Sequence, residues 1–171
     1  MDVAEALALI RRVPDFPEPG VLFQDISPML GNAEAFRAVT DAMAATLDEV
    51  DVVVAIDARG FFFGAAVAYS KGLGVVPVRK AGKLPRRTFS ASYELEYGSA
   101  TLEVHEDAFI AGQRVLVVDD VLATGGTAGA ALELVERAGG TIAGFTVLME
   151  LGFLNGRERL RPRSVHALLT V

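Results

Sequence analysis

An α/β fold with a central, mainly parallel sheet flanked by helices is what this sequence predicts, and three observations carry the prediction. The segments DVVVAID (51–57), VVPV (75–78), RVLVVDD (114–120) and TIAGFTVLME (141–150) are largely runs of apolar, often β-branched residues. Strands of parallel sheets are covered on both faces and read this way, without strict alternation. Stretches of helical spacing separate several of them, giving the order strand, helix, strand. Two of the strands end in aspartate followed by a glycine-bearing turn, and open sheets of this kind hold ligands beyond the carboxyl ends of their strands.

The elements follow in order. Residues 2–12 have helical spacing. RVPDFPEPGVLFQDISPML (12–30) carries four prolines, which exclude regular helix and predict an extended segment pinned over the surface. Residues 33–49 read as a helix with Asn32 as N-cap and Phe36, Val39, Met43 and Leu47 on one face. After the strand at 51–57, GFFFGAAVAYSKG (60–72) reads as a helix whose Phe61–Phe63 run is core, and VVPV as the next strand. The polar stretch from Arg79 to Ser99 breaks the pattern; a structureless insert of that length in a compact domain is expected to be a lid. TLEV (101–104) and RVLVVDD resume the sheet. A helix from Thr127 to Ala138 is closed by Gly139–Gly140, TIAGFTVLME is a strand, and RPRSVHALLTV adds a final one. The whole of 1–171 is expected to be one domain.

Composition narrows the function. The chain is 51% apolar and 22% charged, a globular balance. Its apolar runs are too short for a membrane helix, and the N-terminus MDVAEALALI has acids where a secretory signal carries Lys or Arg. These features predict a soluble, cytoplasmic protein that does not bind membranes. With 22 acids against 16 Lys plus Arg, a general grip on nucleic acid is not expected. The absence of cysteine excludes disulfides and thiolate metal sites.

VLVVDDVLATGGT (115–127) poses the chemical question. Thr124, Gly125, Gly126 and Thr127 precede a helix, so their N–H groups lack partners and face the positive end of its dipole, as an anion requires. Asp119 and Asp120 in the same loop should repel phosphate. One ligand reconciles the two: a sugar phosphate whose phosphate sits at the turn while the carboxylates accept from vicinal hydroxyls or face Mg2+. A capped turn with solvated acids is the plainer alternative. GxxxxGK[ST] is absent, and Gly72–Leu73–Gly74 lacks the last glycine of a dinucleotide fingerprint. His105 and His166 suit neither a paired metal site nor a nucleophilic triad.

The same stretch closely resembles the phosphoribosyl pyrophosphate-binding signature of type I phosphoribosyltransferases. FPEPGVLFQDISPML (16–30), DARGFFFG (57–64), VRKAGKLP (78–85) and SYELEYG (92–98) are similar to blocks of the family's adenine-specific members, in the same order, from about Pro14 to Leu160. The resemblance implies purine salvage: transfer of phosphoribose from phosphoribosyl pyrophosphate to adenine, giving AMP and pyrophosphate, with Mg2+ and a homodimer. It implies an N-terminal helix and base-binding hood over 1–32, and a basic segment with a flexible lid over 79–99. Ala123, Thr124, Gly125, Gly126 and Thr127 would then hold the phosphate, and Asp119 and Asp120 the ribose. Arg59, Arg79 and Lys83 would contact pyrophosphate, Arg59 having the alternative of pairing with Asp57. Phe23 would stack on adenine beside Leu22 and Gln24, where many relatives carry Arg in place of Gln24; a buried aromatic staple is its alternative. Glu96 and Tyr97 would act from the closed lid, with Glu96 as candidate base. Other readings are a 6-oxopurine transferase, a regulator that senses phosphoribosyl pyrophosphate, and a pure nucleotide-binding subunit.

Overall fold

A computed structural model describes residues 1–95 and 98–171 and divides the chain into two compact units, Met1–Ala42 and Met43–Val171. In the first unit, helix α1 (Val3–Leu7) starts with a capping box: Asp2 Oδ1 accepts the Glu5 amide at 2.8 Å and Glu5 Oε2 accepts the Asp2 amide at 2.9 Å. The helix stops well before residue 12, because strand β1 (Arg11–Pro14) pairs antiparallel with β2 (Leu22–Asp25), Val13 opposite Phe23. The Pro-rich segment is therefore a hairpin. It leads into a one-turn helix α2 (Ser27–Leu30), where extended chain was expected. Pro28 is tolerated there because it lies in the first turn, whose N–H groups have no partner within a helix.

Helix α3 (Ala33–Ala44) links the units and opens as predicted, with Asn32 Oδ1 accepting the amides of Glu34 and Ala35 at 3.1 and 3.0 Å. It ends at Ala44, not residue 49. The Thr46 hydroxyl donates to the Met43 carbonyl at 2.8 Å, and Lys71 Nζ donates to the carbonyls of Ala44 and Leu47 at 3.0 and 2.8 Å.

The second unit is built from β3 (Val52–Ile56), α4 (Gly60–Lys71), β4 (Gly74–Lys80), β5 (Thr88–Glu94), β6 (Ser99–His105), β7 (Arg114–Leu122), α5 (Gly126–Arg137), β8 (Thr141–Glu150), a 3-10 turn, α6 (Gly156–Arg159) and β9 (Val165–Thr170). Among the described residues, seven strands form one sheet in the order β5-β6-β4-β3-β7-β8-β9. The run from β4 to β9 is parallel; β6 and β5 add antiparallel at one edge. Strand alternation sorts the two helices. Val52, Val54 and Ile56 join a core cluster with Ala131, Leu134 and Val135 of α5, while Ala55 points the other way, against Gly64 of α4. The parallel sheet with helices on both faces is thus as predicted.

The stretch from Arg79 to Ser99 departs from expectation. β4 continues through Lys80, and β5 pairs along its whole length with β6, so most of the expected loop is sheet. The signal in TFSASYE is alternation: Phe89, Ala91 and Tyr93 turn inward between exposed Ser90 and Ser92. Its inward residues are small or amphipathic, and the segment looks polar when only hydrophobicity is read. Phe63 is core as expected, but Phe62 is 54% exposed.

Candidate active site

Strands β3 and β7 are neighbours in the sheet, so their carboxyl ends deliver Asp57 and the Asp119–Asp120 pair to one place. Here they wall a cavity of about 370 Å3, together with Arg59, Lys80, Tyr93 and the 123–128 segment. Glycine makes the approach possible. A Cβ on Gly60 would stand 2.7 Å from Asp119 Oδ1 and 3.1 Å from the Val118 carbonyl, so only glycine lets α4 start against the end of β7. Gly125, at φ +85°, turns the chain into α5, and no side chain caps that helix. The first amides of a 12-residue helix are therefore left for a ligand.

The acids are buried, not solvated: Asp119 is 8% and Asp120 6% exposed, yet both line the cavity. The Asp120 amide donates to Asp119 Oδ1 at 2.9 Å, and Arg59 Nε lies 2.8 Å from Asp120 Oδ2. Burial pushes the Asp119 carboxyl well above the ordinary 3.8, and the neighbouring Asp120 charge raises it further. Burial also raises Asp120, against the pull of the Arg59 guanidinium. Such carboxylates accept strongly from hydroxyls that displace water. Among the described residues no cluster of three acids or histidines could hold a metal by itself. The two adjacent carboxylates suit a hard cation that keeps waters and ligand oxygens in most of its coordination sites.

The predicted residues fall into three groups. Asp119, Asp120, Arg59 and Ala123 through Thr127 converge on the cavity. Arg79 instead sits with its Nε 3.4 Å from Asp57 Oδ2 and its guanidinium 5.8 Å from the Phe61 ring, and its Nη1 donates to the Lys83 carbonyl at 3.4 Å. Leu22, Phe23 and Gln24 lie on β2 of the first unit, where the Phe23 ring meets Phe16 edge-on at 5.1 Å. Glu96 and Tyr97 lie outside the described residues. Sequence reasoning missed Lys80 and Tyr93 as cavity residues. Period two holds the signal: extending the strand from Val78 puts Lys80 on the same face, and Ala91 does likewise for Tyr93.

A buried acid pair and an open helix terminus in one crevice, beyond the ends of parallel strands, define a sugar-phosphate-binding α/β protein. Comparison narrows the class. Residues 29–167 match the model of the phosphoribosyl transferase domain family. The adenine phosphoribosyltransferase of Salinispora arenicola is 67% identical, over 99% of this chain and 92% of its own. The crystal structure of adenine phosphoribosyltransferase from Thermoanaerobacter pseudethanolicus superposes with a TM-score of 0.95 at 47% identity, covering 99% of both chains. The enzyme from Saccharomyces cerevisiae, complexed with D-2,5-dideoxy-2,5-imino-altritol 1,6-bisphosphate and adenine, gives a TM-score of 0.92 at 41% identity, over 95% of this chain and 96% of that one. The chain belongs to the phosphoribosyltransferase family and, within it, to the adenine phosphoribosyltransferases.

Proposed function

We propose that this protein transfers phosphoribose from phosphoribosyl pyrophosphate to adenine, releasing AMP and pyrophosphate. The observation that carries the reading is that one cavity holds both the acid pair and the Thr124–Thr127 cradle. The 5′-phosphate binds the open amides at the start of α5, where the helix dipole favours an anion. Asp119 and Asp120 accept from the ribose 2′- and 3′-hydroxyls, which leaves the anomeric carbon free. Arg59 and Lys80 in the cavity wall, with Arg79 and Lys83 from the basic segment, offset charge that grows on the pyrophosphate as its bond to the anomeric carbon breaks. Mg2+ arriving with the pyrophosphate supplies further positive charge to the leaving group, with Asp119 or Asp120 reaching it through water.

Adenine N9 forms the new bond to the anomeric carbon and gives up its proton, for which Glu96 is the candidate acceptor and Tyr97 its neighbour. Phe23 offers the purine a stacking face, while main-chain groups of Leu22 and Gln24 read its edge; stacking alone tolerates any base, so hydrogen bonding sets selectivity. A homodimer is supported by α4, which leaves Phe62 54% and Tyr69 90% exposed two turns apart on one side of the helix. A cytoplasmic setting accords with the fact that, among the described residues, no helix is long and apolar enough to cross a membrane.

The test supplies Mg2+, phosphoribosyl pyrophosphate and one purine at a time, and measures pyrophosphate release. Turnover with adenine is expected. Turnover with a 6-oxopurine alone would replace adenine as the substrate, and binding without turnover would make the protein a sensor.

A further inference from the structure

The short helix α6 packs behind the phosphate cradle, and its arginine is uncommitted. A Cβ on Gly156 would collide with the Ala123 carbonyl oxygen and lie 3.0 Å from the Gly125 amide nitrogen. One on Gly125 would come within 2.8 Å of the Gly156 carbonyl oxygen and 3.4 Å of Arg159 Cβ. Backbone therefore meets backbone where α6 touches the turn. Two anchors hold α6 there. Buried Leu160 reaches to within 3.9 Å of the Cβ position of Gly129 on α5. Arg157 bridges Glu150, at the end of β8, and the Val165 carbonyl on β9. The neighbouring arginines are all neutralised: Arg157 by Glu150, Arg161 by Glu158 at 2.8 Å, Arg163 by Glu136 at 2.7 Å. Arg159 has no carboxylate partner among the described residues, in a chain of net charge −6, and its Nη1 lies 3.8 Å from the Cβ position of Gly126.

We propose that Arg159 is a substrate-binding residue that supplies a side-chain cation to the phosphate held at the start of α5. This rests on the sugar-phosphate reading of the cradle. The backbone amides fix the anion's position, and the guanidinium adds a charge-assisted contact from the α6 side. A dianionic phosphomonoester gains most from it, and an unphosphorylated nucleoside gains nothing.

The experiment titrates wild type, Arg159→Gln and Arg159→Lys with AMP and with adenosine by calorimetry, beside KM for phosphoribosyl pyrophosphate and for adenine. Arg159→Gln is expected to weaken AMP binding and raise KM for phosphoribosyl pyrophosphate by about five- to tenfold, the range of a charged contact discounted for exposure. Adenosine binding, KM for adenine and the unfolding temperature should not move, and Arg159→Lys should recover part of the loss. AMP affinity within about twofold of wild type, or an equal fall for AMP and adenosine, would overturn the proposal. A wild type that binds AMP through Arg159 but releases no pyrophosphate with adenine would instead sink the transferase reading and leave the role of Arg159 standing.

Discussion

Replacing both cavity acids, Asp119→Asn with Asp120→Asn, separates catalysis from folding. Each carboxylate is proposed to accept a ribose hydroxyl, and a hydrogen bond to a charged acceptor is worth about 1.5–3 kcal/mol. Losing two removes about 3–6 kcal/mol of transition-state binding, a fall of roughly 10²- to 10⁴-fold in kcat/KM. Stability should move the other way at position 119. Burial raises the Asp119 carboxyl above 3.8, so the folded state holds a proton that the unfolded chain has lost. The carboxyl then costs nothing below the unfolded value, and stability declines as pH rises through the raised folded value. Asparagine carries no such penalty. The single variant Asp119→Asn should therefore unfold at the same temperature as wild type or higher at pH 7, and the difference should shrink toward pH 3. Pyrophosphate release against phosphoribosyl pyrophosphate concentration, with thermal unfolding at both pH values, checks the two halves. Activity of the double variant within about tenfold of wild type would refute the ribose assignment. A lower unfolding temperature for Asp119→Asn at pH 7 would show that the buried carboxylate stabilises the fold.

Other substitutions probe the surrounding structure. Gly60→Ala puts a methyl 2.7 Å from Asp119 Oδ1, so the acid must rotate; thermal melts should show a loss of about 1–3 kcal/mol, and KM for phosphoribosyl pyrophosphate should rise. Arg157→Met leaves Glu150 buried without its charged partner. A denaturant titration should show destabilisation of about 3 kcal/mol, the low end for a buried pair because the guanidinium is partly open to water. Phe23→Ala removes the stacking ring; KM for adenine should rise by about ten- to a hundredfold with KM for phosphoribosyl pyrophosphate little changed, and equal effects on both would point to a structural role.

The parallel architecture was legible because β3 and β7 announce themselves as unbroken apolar runs, and burial on both faces is what such runs are for. The edge hairpin of β5 and β6 was not. Strands at the edge of a sheet need only one apolar face, and Ser90, Ser92 and Glu103 on the other side hide the pattern. The premature ends of α1 and α3 were equally hidden, since pairing with β2 and capture of carbonyls by Lys71 come from residues distant along the chain. Sequence alone determined which chemistry the molecule carries: an acid pair, a glycine–threonine turn and a basic segment have that character in any fold. Only the tertiary structure decided that the acids are buried and raised in pKa, that Arg59 pairs with Asp120 rather than Asp57, and that α6 backs the phosphate turn. Charge and hydrogen-bonding capacity belong to a side chain, whereas desolvation and distance belong to what packs around it.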